Sequence, residues 1–497
     1  MGKLSLAIML FLIAVGFTKA ENVEDDSLKL GAVFSDHMVL QRNKPIVIYG
    51  KSKPGDLVEV VFFSKKLSTI TNGSGQWKVA FPALKQGGPF EITVLANDQK
   101  IVLNDILIGD VWLCSGQSNM EFQLKDSETG PQELERKDFN SQIRLFRMGS
   151  LVSTGDFSWD SATLEKVNQF EFFSGNWKVL DATSAASFSA IGYYFGKKIA
   201  ESEKVPIGLI QAALGGSPTE SWIDRSLLES DKQFAGMFVN WQNAENVMEW
   251  CRERAAVNIS NAKTGEQKHP YQPGYNFQAG IAHFTNFPIA GVIWYQGESN
   301  VFNVPLHARL LEIMVKNWRQ EWGYEFPFYY VQLSGIDRPL WPEFRDSQRR
   351  MLKIIPNSGM AVSYDLGDSL NVHPIRKKEI GDRLAAIARR DFYHKNIIAS
   401  GPVPEKAYER NGEIILEFSS AKELLTTGNA ALSGFETLDS GGKRSLAKAV
   451  IKRNTVRIRI SPGENIKTVL YAYQPFTRAN LCNEAGFPAS TFSIYVQ

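Results

Sequence analysis

The sequence predicts an α/β protein, with a doubly wound parallel sheet flanked by helices, an N-terminal β-sandwich and a C-terminal β-rich region. Residues 27–105 form short β-rich runs that are separated by turn-forming stretches such as KPGD and NGSGQ. Residues 106–400 alternate between apolar strands and amphipathic helices, which is typical of parallel βαβ units. Residues 401–497 return to β-rich runs.

The individual elements follow from these patterns. The predicted N-terminal strands are PIVIYG, LVEVVFF, QWKVAFP, FEITVLA and QKIVL. The predicted central strands are ILIGDVWLC, VPIGLIQAALGG, FPIAGVIWYQGES, FPFYYVQLS and GMAVSYDLG, and they are almost continuously apolar, as expected when helices cover both faces of a sheet. The main predicted helices are IGYYFGKKIAESEK, HARLLEIMVKNWRQEW, FRDSQRRMLKII and RKKEIGDRLAAIARRDFY, with a helical insertion at about residues 225–260. The predicted C-terminal strands are EIILEFS, KAVIKRNTVRIRI and TVLYAYQ.

The first 20 residues have the features of a signal peptide. Lys3 provides a positive charge, LSLAIMLFLIAVGF is apolar, and Thr18-Lys19-Ala20 places small residues before a cleavage point. The apolar run is too short for an ordinary membrane span, although an uncleaved anchor is the alternative. We therefore expect cleavage after residue 20 and a secreted or periplasmic protein.

The charge of the mature chain argues against two classes of partner. Loss of residues 1–20 removes Lys3 and Lys19 but no acid, so the 55 Lys and Arg fall to 53, equal to the 53 Asp and Glu. A nucleic-acid-binding protein needs a basic face, and attraction to an anionic membrane needs a net positive charge. We expect neither partner, and the sequence does not indicate an oligomeric state.

The cysteines and glycines indicate no metal and no cofactor. The three cysteines, Cys114, Cys251 and Cys482, lack the CxxC spacing of a zinc site and allow at most one disulfide. No glycine-rich phosphate-binding loop is present.

Polar residues and glycines follow the central strands where each strand ends. These segments are Ser115-Gly116-Gln117-Ser118-Asn119, Gly215-Gly216-Ser217-Pro218-Thr219, Tyr295-Gln296-Gly297-Glu298-Ser299-Asn300 and Asp365-Leu366-Gly367-Asp368. Among the six histidines, only His373 follows a predicted strand end in a turn. Ligands bind outside the carboxyl ends of parallel strands, so a serine, glycine turns, an amide and a histidine near acids meet at one edge. These are the components of nucleophilic acyl transfer.

Several stretches resemble the sialate O-acetylesterase family of SGNH hydrolases. They are VFSDHMVLQRNKPIVIYGKSKPGD, VWLCSGQSNM, VPIGLIQAALGGSPTESW, GVIWYQGESN, DLGDSLNVHP and NLCNEAGFPAS. The stretches extend from residue 33 to residue 490, and the order GQSNM, WYQGESN, GD and HP is specific. The resemblance implies an SGNH-type doubly wound sheet.

The resemblance also implies the catalytic residues. Ser118 matches the nucleophile, with Ser115 as the alternative serine, and His373 matches the general base. Ser118 N–H, a backbone N–H of Gly215 or Gly216, and the Gln296 side chain are the expected oxyanion donors. The alternatives are a plain tight turn for the glycines and a structural hydrogen bond for Gln296; for Glu298 we expect a loop-organising acceptor.

The partner that orients His373 is less clear from the sequence. Many SGNH enzymes have Asp three residues before the histidine, where this chain has Leu370. We expect Asp368 to orient the imidazole, with Asp365 or a backbone carbonyl as alternatives. Trp222 and Arg478 are expected to line the substrate site, although Trp222 could equally serve in packing.

The expected function is that of a secreted serine esterase that hydrolyses O-acetyl esters on sugars, sialic acid being the substrate that the resemblance implies. One alternative is an acetylxylan or other polysaccharide O-acetylesterase. An alternative of another class is an inactive carbohydrate-binding protein, although such a protein need not retain Ser118, Gln296 and His373 together.

Overall fold

The computed structural model describes residues 27–497. The predicted signal peptide, residues 1–20, lies outside the described residues. Within residues 27–497, no helix combines the length and the apolar character needed to cross a bilayer.

The N-terminal region folds into two facing sheets. Its strands are β1 (Lys29–Leu30), β2 (Val39–Gln41), β3 (Ile46–Lys51), β4 (Leu57–Phe62), β5 (Lys65–Ile70), β6 (Gln76–Phe81) and β7 (Gly87–Ala96). Strands β1, β3 and β6 form one antiparallel sheet, while β4 pairs with β5 and β7 in the other. The sheets meet through Phe62 of β4 and Phe81 of β6, whose ring centroids lie 5.6 Å apart.

The central region contains a mixed sheet that is covered by helices, and a separate sheet of two short strands. Its strands are β8 (Gln99–Gly116), β9 (Ile143–Arg147), β10 (Gly149–Ser150), β11 (Phe173–Ser174), β12 (Trp177–Val179), β13 (Ile207–Ala213), β14 (Gly291–Tyr295), β15 (Phe328–Val331) and β16 (Ser358–Ala361). The helices are α1 (Ser118–Glu121), α2 (Gly130–Leu134), α3 (Ser161–Asn168), α4 (Ala182–Ala186), α5 (Ala190–Glu203), α6 (Arg225–Ser230), α7 (Glu249–Asn258), α8 (Tyr275–Ala279), α9 (Val304–Trp322), α10 (Trp341–Met351) and α11 (Lys378–Asp391). The predicted α/β class is confirmed, but the sheet is not parallel throughout. In the order β12-β9-β13-β8-β14-β15-β16, β12 is antiparallel and the other strands are parallel. Strands β10 and β11 form the separate two-stranded sheet.

The long strand β8 joins the N-terminal and central regions. Its first half pairs antiparallel with β7, and its second half pairs in parallel with β13 and β14. Asp105 has a φ of 55° in the middle of this strand, where the register with β7 slips. The predicted domain boundary at 105/106 therefore falls inside one continuous strand.

The alternation of side chains along β8 separates two cores. Val111 and Leu113 belong to a core that includes Trp318 of α9, whereas Trp112 and Cys114 face a second core that includes residues of α5 and α11. Successive side chains of a strand point to opposite faces, so an uninterrupted apolar run buries both faces.

The C-terminal region is β-rich, as predicted. Its strands are β17 (Val403–Arg410), β18 (Glu413–Ser419), β19 (Leu424–Thr426), β20 (Phe435–Asp439), β21 (Arg444–Leu446), β22 (Ala449–Lys452), β23 (Thr455–Arg459), β24 (Ile466–Tyr471), β25 (Leu481–Asn483) and β26 (Phe492–Tyr495). Arg345 of α10 attaches this region to the central one. Its buried guanidinium donates to the carbonyl oxygens of Ala472, Gln474 and Pro475.

The three cysteines, Cys114, Cys251 and Cys482, are all buried and free. The single disulfide that the sequence allowed is therefore not formed. Within residues 27–497, no cluster of three or more His, Cys, Asp or Glu side chains could hold a metal ion.

We expect Gly116→Ala to destabilise the central sheet by about 3 kcal/mol or more, because backbone strain at a positive φ and steric overlap in a packed core add to each other. Gly116 has a φ of 140°, and a Cβ atom at this position would lie 2.1 Å from the carbonyl oxygen of Tyr295 on β14. Urea unfolding followed by tryptophan fluorescence measures the loss. Gly73→Ala is the matched control, because no heavy atom lies within 4 Å of a Cβ there. Equal unfolding midpoints for the two variants would contradict this account.

Candidate active site

The turn after β8 presents Ser118 at the carboxyl edge of the sheet. Gln117 N–H donates to the carbonyl oxygen of Tyr295 at 3.0 Å, which holds the turn against β14. Ser118 then begins the short helix α1 and is half-buried. Ser115 is buried, and its hydroxyl donates to the carbonyl oxygen of Ala212 at 2.6 Å. Of the two candidate serines, only Ser118 thus has its hydroxyl at the open edge.

His373 meets Ser118 across this edge. The imidazole Nε2 lies 2.8 Å from Ser118 Oγ, although the two residues are 255 positions apart in the chain. Partial burial lowers the pKa of His373, and the positive charges of Lys377 and Arg338 lower it further. The imidazole is therefore neutral over more of the pH range than an exposed histidine, and its neutral form can accept a proton from the hydroxyl.

The structure does not join Asp368 to His373. Asp368 is exposed, and its Oδ1 accepts the backbone N–H groups of Leu370 at 2.8 Å and Asn371 at 2.9 Å. These two hydrogen bonds lower the pKa of the Asp368 carboxyl. Asp365, the alternative acid, is paired with Arg383 instead.

The imidazole Nδ1 has no hydrogen-bond partner in the described part of the chain, so the backbone-carbonyl alternative is not observed either. The expectation that Asp368 orients the imidazole is not supported, because its carboxylate closes a local turn.

Gly215 lies beside Ser118, but its N–H group is occupied. A Cβ on Gly215 would lie 3.6 Å from the Cβ of Ser118, and Gly215 N–H donates to Glu121 Oε2 at 2.7 Å. Burial raises the pKa of Glu121, while the Gly215 N–H and the charge of Arg147 oppose this shift. Sequence reasoning missed Glu121, although its place three residues after Ser118 on a helix was a usable signal.

Gly216 has the positive φ, 75°, of a tight turn, and a Cβ there would lie 2.3 Å from the Tyr271 hydroxyl oxygen. Its carbonyl oxygen accepts the Ser299 hydroxyl at 3.0 Å. Gly216 thus serves the local packing of the turn, as its alternative role predicted.

Gln296 is buried, and its side-chain amide bonds within its own neighbourhood. Its Nε2 donates to Asn300 Oδ1 at 2.7 Å and to the Ser217 carbonyl at 3.4 Å, and its Oε1 accepts the Thr219 hydroxyl. These bonds leave no amide hydrogen for an oxyanion. The structure therefore does not support the expected oxyanion role of Gln296. It instead shows the alternative, hydrogen bonds that hold the loop of Gln296 together.

A buried polar network connects the turn of Ser118 to the loop of His373. Asn119 Nδ2 donates to Glu298 Oε1 at 2.6 Å and to the carbonyl oxygen of Val372 at 2.9 Å. Lys377 Nζ donates to Asn119 Oδ1. Burial lowers the pKa of Lys377 to about 7, which the nearby Glu298 opposes, and burial raises the pKa of Glu298.

The two predicted substrate-lining residues differ in position. Trp222 is fully buried, and its Nε1 donates to Ser217 Oγ at 2.9 Å, so it serves in packing and does not line an open site. Arg478 is exposed and donates weakly, at 3.5 Å, to the carbonyl oxygen of Gly367 beside Asp368. Arg478 therefore lies beside the turn of Asp368, and no contact joins it to Ser118 or His373 within the described residues.

Comparisons with known proteins place the chain among carbohydrate esterases. The model of the family described as carbohydrate esterase, sialic acid-specific acetylesterase matches residues 108–390, which include both Ser118 and His373. The sialate O-acetylesterase of Mus musculus is 28% identical over 428 residues, covering 76% of this chain and 76% of that protein. The sialate O-acetylesterase of Homo sapiens is 28% identical over 422 residues, covering 76% of this chain and 74% of that protein.

The crystal structure of a novel carbohydrate acetylesterase from Xanthomonas citri has the same fold. It superposes with a TM-score of 0.77 at 29% identity, covering 94% of this chain and 99% of that chain. These findings make the protein a carboxylic ester hydrolase that acts on sugar acetyl groups. The chain belongs to the carbohydrate esterase, sialic acid-specific acetylesterase family.

Proposed function

We propose that this protein is a secreted serine esterase that removes O-acetyl groups from sialic acids through a Ser118–His373 pair. The observation that carries the proposal is the 2.8 Å contact between Ser118 Oγ and His373 Nε2 at the open edge of the sheet. The names of the mouse and human relatives support sialic acid as the sugar. The signal-peptide features of residues 1–20 support secretion.

In this mechanism neutral His373 removes the proton of Ser118 as Oγ attacks the acetyl carbonyl carbon. The resulting tetrahedral intermediate collapses, the bond to the sugar oxygen breaks, and His373 returns the proton to that oxygen. The acetyl group is then esterified to Ser118. A water molecule, deprotonated by the same imidazole, attacks the carbonyl carbon of this ester. The bond between that carbon and Ser118 Oγ then breaks, the imidazole returns the proton to Oγ, and acetate leaves.

The negative charge of the tetrahedral intermediate requires N–H donors. The N–H groups of Ser118 and Gly215 are the proposed donors, because Gly215 lies beside Ser118. Since Glu121 Oε2 occupies the Gly215 N–H, the substrate carbonyl oxygen must displace it. Gln296 has no part in this mechanism.

We expect Ser118→Ala to abolish acetate release from O-acetylated sialic acids while leaving the fold intact. Ser115→Ala is the matched control: it removes a buried hydrogen bond worth about 1 kcal/mol but no reacting group. His373→Ala should be as damaging as Ser118→Ala, and the double variant no worse than either. Activity of Ser118→Ala within a few-fold of the wild type would exclude Ser118, and acetylxylan hydrolysed faster than sialic acid esters would exclude the proposed sugar.

The pH dependence provides a second test. Only the neutral imidazole accepts the proton, so kcat/KM should rise with pH and level off above the pKa of His373. Burial, Lys377 and Arg338 lower this pKa, so the midpoint should lie below the ordinary histidine value of about 6.5. Initial rates on an uncharged acetyl ester measure the profile. They are taken from about pH 4 to about pH 9, which is roughly two units or more on either side of that value. A midpoint above that value would contradict the proposed environment of His373.

Asp368→Asn should lower kcat only a few-fold. The side-chain oxygen of Asn can still accept the N–H groups of Leu370 and Asn371, and Asp368 makes no hydrogen bond to His373 within the described residues. Steady-state kinetics on the same ester measure the effect. In a serine protease the equivalent loss of the orienting acid costs about 10⁴-fold, which is the established reference case. A loss of that size here would restore Asp368 as the orienting partner.

A further inference from the structure

Arg338 projects from a loop at the same edge of the sheet as Ser118. The loop follows β15 and leads into α10, and Asp337 N–H donates to the carbonyl oxygen of Ser369 at 3.1 Å. This bond fixes the loop against the segment that carries His373. The side chain of Arg338 is exposed, and its guanidinium carbon lies 5.9 Å from the ring centroid of Trp341.

The positive charge of Arg338 acts on the catalytic pair. Burial and Lys377 lower the pKa of His373, and Arg338 adds to this shift. Arg338 also opposes the rise that burial causes in the pKa of Glu298, so the guanidinium lies within electrostatic range of both groups. The other charge that acts on the imidazole is that of Lys377, which lies in the buried network. Glu298 lies on the other side of Asn119.

Three neighbouring cations are already engaged. Arg376 is paired with Glu379, Arg383 with Asp365, and Lys377 Nζ with the side chain of Asn119. Within residues 27–497, Arg338 has no ion pair and no side-chain hydrogen bond. Its five N–H donors are thus free to bind an anion.

We propose that Arg338 binds the carboxylate of an acidic sugar whose O-acetyl group lies at Ser118. The inference rests on the proposed function and identifies the group that selects its substrate class. A guanidinium suits this role because its planar donors match the two oxygens of a carboxylate. Neutral acetylated sugars lack this contact.

The test compares an O-acetylated sialic acid with its carboxyl methyl ester, which has the same sugar and acetyl group but no charge. For Arg338→Gln, we expect the ratio of kcat/KM for the free acid to kcat/KM for the methyl ester to fall about ten- to a hundredfold, as expected for a hydrogen bond to a charged group. The loss should lie in KM. Arg338→Lys should recover part of the ratio, because it keeps the charge but not the planar donors.

Arg376→Gln is the matched control, because Arg376 is also an exposed arginine near His373 but is paired with Glu379. Arg376→Gln should leave the ratio of kcat/KM for the free acid to that for the methyl ester within about twofold of the wild-type ratio. That is well below the roughly tenfold change expected from the loss of one hydrogen bond to a charged group. Activity of Arg338→Gln on the methyl ester shows that the variant is folded. A second readout is the pH midpoint on the methyl ester, which should rise when the cation is removed.

Two results would overturn the inference, and they are distinguishable. If the wild type prefers the free acid and Arg338→Gln keeps that preference, Arg338 is not the carboxylate ligand, while the proposed function stands. If the wild type hydrolyses both sugars equally and acetylxylan as well, the acidic-sugar function itself fails, and the inference fails with it.

Discussion

The active site depends on one buried side chain, that of Asn119. Ser118 and His373 come from opposite ends of the central region, and Asn119 connects their backbones by donating to the carbonyl oxygen of Val372. The same amide lies between the buried Glu298 and the buried Lys377 and forms a hydrogen bond with each. Loss of this amide would leave two buried ionisable groups without a partner, which is strongly destabilising. Strand β8 therefore leads into polar residues because Ser118 presents a hydroxyl and Asn119 holds the loop that carries His373.

The parts of the molecule that follow a local pattern could be predicted from the sequence. The uninterrupted apolar run of β8 predicts a strand buried on both faces, and its side chains divide between two cores. The position of Ser118 follows from the polar turn after this strand, and that of His373 from the turn after the last strand. Parallel strands bring such turns to one edge whatever their separation in the chain. The contact between Ser118 and His373 is therefore a consequence of topology.

The expectations that the structure does not support depend on contacts between distant residues or on the backbone. Asp368 was expected to bond His373, but its carboxylate accepts N–H groups of its own turn. These local hydrogen bonds form without the entropy cost of bringing distant parts of the chain together. Gln296 was expected to face the substrate, yet it bonds to side chains of its own loop. Lys377 lies in the charged run IRKKE, which is typical of a solvated helix start. Only its approach to Asn119, 258 positions away, explains its burial.

The charges around His373 have a consequence for the reaction beyond substrate selection. Burial, Lys377 and Arg338 lower the pKa of His373, which keeps the imidazole neutral but also makes it a weaker base, since base strength follows pKa. A carboxylate bound at Arg338 offsets that cation and raises the pKa of His373 toward its ordinary value in the enzyme–substrate complex. An acidic substrate then strengthens the base that acts on it, whereas a neutral ester does not. We therefore propose that in this chain, where Asp368 closes a turn, a substrate carboxylate at Arg338 supplies part of the negative charge that the acid of a catalytic triad provides elsewhere.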